Sequence, residues 1–405
     1  MGALSHIRVL DLSRVLAGPW ATQILADLGA EVIKIEKPGE GDETRHFGPP
    51  FLTTKDGGKG DAAYFLTTNR NKKSVTVDLS QEKGAALVRR LARRAHVVVE
   101  NFKTGTLARY GLDYKTLATE NPALIYCSLT GFGHDGPYKD KAGYDYLVQG
   151  MAGLMSITGQ PDGTPGAEPM KVGVAVSDLL TGLYTTIGIL AALVHQGRTG
   201  EGQEIDMALF DCQTASLANQ AMNYLAGNTV PGRLGNAHPN IVPYQVFATA
   251  DGHLILAIAN DGQFRRFCDA ASLSGLAADP RYATNAARVD HRDELVNLLK
   301  PVFAAKNSAG WIALLERANV PCGPINRVDQ VFADPQAIAR GLKISLDHAA
   351  AGPIDLVASP LKLSRTPPEY VSAPPTLGQH TEEVLRGVLD LSADEIAQLK
   401  AEKAI

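Results

Sequence analysis

The sequence predicts an α/β protein in which a parallel sheet covered by helices is followed by a smaller α+β domain. Two observations carry this. Short apolar runs alternate with helical segments through the first 130 residues, and strands separated by helices pair in parallel. Past residue 240 the order changes to one hairpin and then helices alone, which marks a second domain. A chain of 405 residues, 45% hydrophobic and 20% charged, has the material for two such cores.

Taken in order, Ile7 to Leu12 reads as a buried strand, Ala17-Gly18-Pro19 as its turn, Trp20 to Leu28 as a helix and Glu31 to Glu36 as the next strand. Ligands of parallel sheets lie beyond the carboxyl ends of the strands, which directs attention to Ser13, Arg14, Leu16, Ala17 and Lys37. A glycine-rich loop carrying Arg45 follows, then the basic cluster Asn69 to Ser74, which by itself reads as a solvated turn. Val75 to Leu79, Gln81 to Arg94 and His96 to Glu100 repeat the strand, helix, strand pattern and end on the polar loop Asn101-Phe102-Lys103. The strand Leu124 to Leu129 leads into Gly131-Phe132-Gly133-His134-Asp135-Gly136. This is a literal G-x-G-x-x-G, but Pro137 follows it and no apolar helical stripe begins there, so a nicotinamide or flavin site is not expected.

A helical stretch opens at Gly143-Tyr144-Asp145, and a turn-rich loop from Thr158 to Gly166 leads into the central segment of the chain. There a helix from Leu179 to Leu193, stopped at Gly197 to Gly200, carries one acid, Asp178, at its start. Ser177 or Asp178 is the expected cap. The helix dipole would favour an ionised Asp178 while its apolar neighbours limit hydration, and such a carboxylate is a usable nucleophile. A plain helix cap is the competing reading. A membrane span is disfavoured by the acid, the internal serine and threonines, and the lack of basic flanking asymmetry. After it come a strand at Glu204 to Leu209, a helix at Asp211 to Leu225, and a Gly, Pro and Asn-rich crossing at Gly227 to Asn240. The second domain then starts with a hairpin turning at Asp251-Gly252 and continues with helices at 261–271, 292–304 and 308–318. The tail reads as strands near 342–346, 354–358 and 361–363, an extended proline-rich stretch, and two final helices.

Composition narrows the function. A net charge of −4 gives no global field for nucleic acid or an anionic membrane, though basic pockets for small anions remain compatible with it. Four scattered cysteines without a CxxC pair suit reduced thiols in a cytoplasm, no apolar leader precedes Ile7, and ten histidines without ligand spacing predict no metal site.

In their order and spacing, the motifs Val9 to Leu12 with Ala17-Gly18-Pro19, Val32 to Gly39 with Gly41-Asp42, Asn71 to Ser74, Val99 to Phe102, Gly143-Tyr144-Asp145, the Asp178 segment ending at Thr199 to Gln203, and Leu377 to Thr381 resemble the class III coenzyme A transferases. That family includes formyl-CoA transferase and the carnitine and bile-acid CoA transferases. Gly235 to Tyr244 and the tail are most similar to its succinyl-CoA:glutarate, or hydroxymethylglutarate, branch. The resemblance implies a Rossmann-like large domain built from both chain ends (1–220 and 331–405), a small α+β domain between them (221–330), and an interlocked homodimer. It also implies Asp178 as the nucleophile and coenzyme A as a substrate, with no tightly bound cofactor. Carried over by motif, coenzyme A would lie against Leu16, Ala17, Lys37, Val77, Asp78, Leu79, Ser80, Asn101, Phe102, Lys103, Arg109, Ala142, Gly143, Tyr144 and Asp145.

Leu16 replaces the glutamine of formyl-CoA transferase, and no tetraglycine loop is present, which argues against formyl-CoA and oxalate as substrates. A dicarboxylic acid would need a cation, for which Arg14, Arg45 and Arg233 are candidates, and His238 is a candidate for orienting the acyl group. Three rival functions share the fold or the ligand: an α-methylacyl-CoA racemase, a CoA-dependent isomerase and a non-catalytic CoA binder. The racemases have histidine where Tyr144 stands, and tyrosine is too weak a base at neutral pH to replace it.

Overall fold

A computed structural model describes residues 2–405. The chain divides into two units. One comprises the residues up to Leu154, Lys171–Met222 and Gln336–Ile405, and the other Met155–Met170 and Asn223–Pro335.

The first unit is built on strands β1 (Arg8–Asp11), β2 (Glu31–Glu36), β5 (Lys72–Thr76), β6 (Val97–Glu100), β7 (Ile125–Thr130) and β8 (Gln203–Ala208), with the short hairpin β3 (Phe51–Thr53) and β4 (Lys59–Ala62) between β2 and β5. The six pair in parallel in the order β5-β2-β1-β6-β7-β8. Renumbered along the sheet this is 3-2-1-4-5-6, the doubly wound order, whose crevice opens where the winding reverses between β1 and β6. Helices α1 (Ala17–Asp27), α2 (Ala63–Leu66), α3 (Glu82–Arg93), α4 (Tyr114–Glu120), α5 (Asp145–Met151) and α6 (Val176–Thr199) connect the strands, and α7 (Leu209–Ala215) follows β8.

Period-two alternation sends side chains to two cores. Leu10, Val98 and Tyr126 join Leu87, Val88 and Leu91 of α3 on one face, while Val9, Val97, Val99 and Cys127 join Leu25 of α1 and Ile189 of α6 on the other. Gly182 lets α6 approach α1, since a Cβ there would lie 2.7 Å from the Ala17 carbonyl oxygen.

The third strand begins three residues earlier than the expected Val75, and the basic cluster is not a solvated turn. Asn69, Arg70, Lys72 and Ser74 are buried. Lys72 Nζ donates to Asp11 Oδ2 (3.0 Å), Pro19 O (3.0 Å) and Asn69 Oδ1 (3.1 Å). Lys34, also fully buried, donates to Ser13 O (2.8 Å) and Asp42 Oδ2 (2.9 Å). Burial of charge is tolerated because the Lys72 ammonium finds three oxygens and that of Lys34 two, one of them a carboxylate in each case. Asp42 in turn accepts from Thr44 N and Thr44 Oγ1, and together with Lys34 these bonds outweigh its burial and hold its carboxyl down at about 2.

In the second unit β9 (Tyr244–Ala248), β10 (His253–Ala257) and β11 (Cys322–Pro324) form an antiparallel sheet over Phe247, Phe267, Phe303 and Trp311. The Phe247 and Phe303 rings stack 4.5 Å apart. Residues 155–170 are grouped here, tied by the bond from Gly235 N to Gly159 O (3.0 Å).

The returning tail forms the hairpin β12 (Lys343–His348) and β13 (Gly352–Val357). No strand forms at 361–363. Leu377 to Thr381 closes the open edge of β5: His380 N donates to Ser74 O (2.9 Å), Gly378 N to Ser74 Oγ (2.8 Å), and Thr76 N to Thr381 Oγ1 (3.0 Å). That motif protects an edge strand.

Candidate active site

Helix α6 starts at Val176, so Asp178 is its third residue and Ala175 its cap position, which supplies no side-chain acceptor. The expected capping by Ser177 or Asp178 does not occur. The N–H groups that a cap would take are met by a carboxylate from another helix: Ser177 N donates to Asp145 Oδ1 at 2.8 Å and Asp178 N at 3.4 Å. Asp145 Oδ2 accepts from Gln149 Nε2 (2.7 Å), and the fully buried Gln149 also accepts from Val172 N through Oε1 (2.9 Å). Ser177 Oγ donates to Gln213 of α7 (2.8 Å), which fixes the first turn from its other side.

The consequence for ionisation reverses the sequence expectation. Among the described residues no hydrogen-bond donor reaches the Asp178 carboxylate, and burial, then the neighbouring charge of Asp145, push its pKa up to about 7. The dipole of α6 is already answered by Asp145. Tyr64 of α2 faces the same charges; its phenol is raised by burial and then by Asp178, Asp145 and Asp42. A carboxylate of such basicity is a stronger nucleophile than an ordinary aspartate and is half protonated near neutrality. If the ionised form attacks, kcat/KM falls about tenfold per pH unit below 7 and levels off above it, a profile that initial rates between pH 5 and 9 would check.

The G-x-G-x-x-G run has a mechanical explanation. A Cβ on Gly131 would lie 2.3 Å from Gly143 Cα, and one on Gly143 2.1 Å from Gly131 Cα, so the two loops touch backbone to backbone. No helix follows, and His134 N is tied to Asp206 Oδ2 (2.9 Å) of β8. The contact seats Gly143-Tyr144-Asp145 against the start of α6. Gly131→Ala is expected to displace Asp145 and with it Asp178, lowering kcat by about 100-fold, as a displacement of an ångström does in an oriented site, while the circular dichroism spectrum stays native.

A cavity of about 410 Å³ opens at the carboxyl ends of β1, β2, β5 and β6, at the reversal of the winding. Of the residues expected to meet coenzyme A, Lys37, Val77, Asp78, Leu79, Ser80 and Phe102 line it. Arg14 lines it as well, with its guanidinium 4.9 Å from the Phe102 ring centre and paired with Glu43. Asn101 lies behind the wall: its Oδ1 accepts from Arg14 N (2.9 Å) and its Nδ2 donates to Arg14 O (2.7 Å). This clamp and the bond from Val15 N to Asp42 hold Val15 at φ 69°, a costly conformation for a β-branched residue. Leu16 and Ala17 are buried at the start of α1, and Lys103, Arg109, Ala142 and Tyr144 are exposed and do not line the cavity. Thr106, Tyr110 and Asp42 line it without having been singled out as contacts. No pattern in the sequence distinguishes Gln149, whose role depends on a partner 23 residues away.

The cations sort differently than expected. Arg45 is buried and grips Glu36 with two bonds (Nη2 to Oε1 2.7 Å, Nε to Oε2 2.8 Å) and Asp61 with a third (2.7 Å), so it has no free face for a substrate acid. Arg233 and His238 belong to the second unit. Arg233 is paired with Asp162, and His238 Nδ1 accepts from Asn240 N (3.0 Å). Among the described residues no cluster of His, Cys, Asp or Glu is arranged to hold a metal.

The sequence profile of CoA-transferase family III matches residues 4–381. The chain is 55% identical to a succinate–glutarate CoA-transferase of Agrobacterium fabrum over 94% of both chains. It is 41% identical to the human succinyl-CoA:glutarate CoA-transferase over 98% of this chain and 88% of that one. A crystal structure of a CAIB/BAIF family protein from Brucella suis superposes with a TM-score of 0.84 at 49% identity, covering 96% of this chain and 99% of that one. The parallel sheet, the acid at the head of α6 and these similarities together define a class III CoA-transferase. The chain belongs to CoA-transferase family III.

Proposed function

We propose that this enzyme moves coenzyme A from succinyl-CoA to glutarate or a related small dicarboxylic acid, with Asp178 as the covalent carrier. The observation that carries the mechanism is the carboxylate at the third position of α6, with no hydrogen-bond donor among the described residues and its basicity raised. The choice of acids rests on the names of the relatives. The Asp178 carboxylate attacks the thioester carbonyl and expels coenzyme A thiolate, leaving a mixed anhydride. The thiolate attacks the aspartyl carbonyl, releasing the donor acid and leaving an aspartyl-CoA thioester. The acceptor carboxylate attacks that thioester, and the thiolate returns to the acyl carbonyl of the new anhydride, freeing Asp178. One thioester replaces another, so no nucleotide is consumed. Coenzyme A is bound by the cavity between β1 and β6 and the loops after β5 and β6.

A homodimer is part of this reading, and α6 supports it. The helix buries Thr181, Gly182, Thr185 and Thr186, while Leu183, Ile187 and Val194 stand 45%, 60% and 66% exposed along one stripe. It is long and apolar enough to cross a membrane by length and composition alone. A soluble chain that turns its larger apolar residues outward from such a helix leaves a face for a second copy to cover. The interlocked arrangement of the family is the form proposed.

Incubation with succinyl-CoA and a panel of free acids, read by mass, tests the proposal. Glutaryl-CoA and an equivalent of succinate are expected; absence of any new CoA ester with every dicarboxylate overturns it.

A further inference from the structure

We propose that Asp145, held in place by Gln149, is a positioning residue that makes Asp178 the poorer leaving group of the first mixed anhydride and so directs the first half-reaction toward release of the donor acid and formation of aspartyl-CoA. The inference rests on the covalent reading above and assigns Asp145 a role other than contact with coenzyme A.

Asp145 Oδ1 takes both N–H groups at the head of α6, those of Ser177 (2.8 Å) and Asp178 (3.4 Å), and Oδ2 takes the Gln149 amide (2.7 Å). Three donors converge on an acceptor-only carboxylate, which is the arrangement an ionised aspartate requires. Gln149 is buried in α5 and braced by Val172 N, so Asp145 cannot turn away from α6 without breaking this set. A carboxylate is thereby fixed on the backbone N–H of the nucleophile's own residue. The groups that face Asp178 are this carboxylate and, from α2, the phenol of Tyr64; no cation stands among the charges that act on it.

The chemistry follows from the two carbonyls of the anhydride. Coenzyme A thiolate at the substrate's acyl carbonyl breaks its bond to the shared oxygen, expels Asp178 as a carboxylate and regenerates the starting thioester. Attack at the aspartyl carbonyl breaks the other bond to that oxygen, expels the donor acid as a carboxylate and gives aspartyl-CoA. The less basic carboxylate leaves more readily. An ordinary aspartate would be a better leaving group than most aliphatic acids, and the anhydride would fall back. Buried and next to Asp145, the Asp178 carboxylate is the more basic of the two, and its conversion to a neutral anhydride or thioester relieves repulsion between like charges. The same relief favours aspartyl-CoA at equilibrium, because the negative charge leaves with the acid.

Asp145→Asn separates the parts. The amide oxygen can still accept from Ser177 and Asp178 while the charge is lost, and the amide nitrogen, a donor, gives up the bond from Gln149 Nε2, a loss that Gln149→Met reproduces without removing the charge. The expected results are an acid limb of kcat/KM displaced to lower pH by about a unit and an equilibrium ratio of aspartyl-CoA to free enzyme lowered about tenfold at fixed succinyl-CoA and succinate, since one pKa unit corresponds to a factor of ten. The thioester is counted by intact protein mass. Gln149→Met, which adds no charge and frees Asp145 from its brace, is expected to move both readouts in the same direction by less. Should Asp145→Asn fail to fold, Gln149→Met decides alone. Superimposed pH profiles and an unchanged thioester ratio in a folded variant overturn the inference. If the wild-type enzyme itself forms no aspartyl-CoA, it is the covalent reading that falls.

Discussion

Asp178→Ala is expected to lower the rate of CoA transfer by at least about 10⁴-fold while leaving the affinity for coenzyme A within a few-fold of wild type. The magnitude is that of removing a covalent nucleophile rather than a binding contact. No neighbour can stand in. Asp145 is committed to three N–H donors, and Tyr64 has its phenol raised further from ionisation by burial and then by the surrounding carboxylates. Binding is spared because the cavity is lined by residues of the β1, β2, β5 and β6 ends, and Asp178 is not among them.

The variant is also expected to melt higher than wild type, by more at pH 8 than at pH 5. The Asp178 carboxyl has a folded-state pKa raised from 3.8 to about 7, so the folded state holds the proton more tightly. The stability this confers is complete below about pH 4 and is lost progressively as pH rises to 7, and alanine escapes that loss. Initial rates, calorimetric titration with coenzyme A and melting at the two pH values check all three parts. Transfer at more than about 1% of the wild-type rate would end the assignment of Asp178 as carrier.

Arg45→Met is expected to destabilise the fold by about 3 to 5 kcal/mol, the range for breaking a buried ion pair from one side. The variant strands Glu36, 4% exposed, with only the Ser74 hydroxyl and the Asp42 N–H as donors, and leaves Asp61 without its guanidinium. It also removes the bonds to Pro375 O (3.2 Å) that tie the proline-rich tail to the sheet, and the stacking of the guanidinium 3.6 Å above the Phe65 ring. Urea denaturation measures the loss. Kinetics then distinguish a structural cation from one that binds substrate: the folded fraction of Arg45→Met is expected to keep its KM for the acceptor acid, whereas a substrate-binding arginine would raise KM and spare stability. Among the arginines considered, Arg14 is the one that both faces the cavity and keeps its charge pair at the surface.

Much of the sheet was legible because its signals are local. Val97, Val98 and Val99 can only be a buried strand, and the helix 176–199 is written in its apolar run and in Gly200, which takes φ 78° at the end of α6. The loop after Glu100 was placed at a strand end by the local pattern alone, whereas the segment after Val77 was named as a contact only through the motif resemblance. Lysines escaped the same logic. Lys34 and Lys72 look like surface residues in any window, and they are buried because Asp42 and Asp11 meet them, the latter from 61 residues away. Arg45 misled for the same reason: a guanidinium suited to a substrate carboxylate is equally suited to Glu36.

By itself the sequence determined where most strands of the parallel sheet and its longer helices lie, that one acid heads a long apolar helix, and which family the motifs resemble, because periodicity, turn residues and motif order are all properties of neighbours along the chain. The tertiary structure decided the state of that acid. Whether Asp178 is ionised depends on Asp145 having taken its N–H groups, and Asp145 arrives there through Gln149 and through two glycines whose backbones touch. Charges interact through space, so a carboxylate 33 residues away along the chain can set the basicity of another, and only folding brings them together.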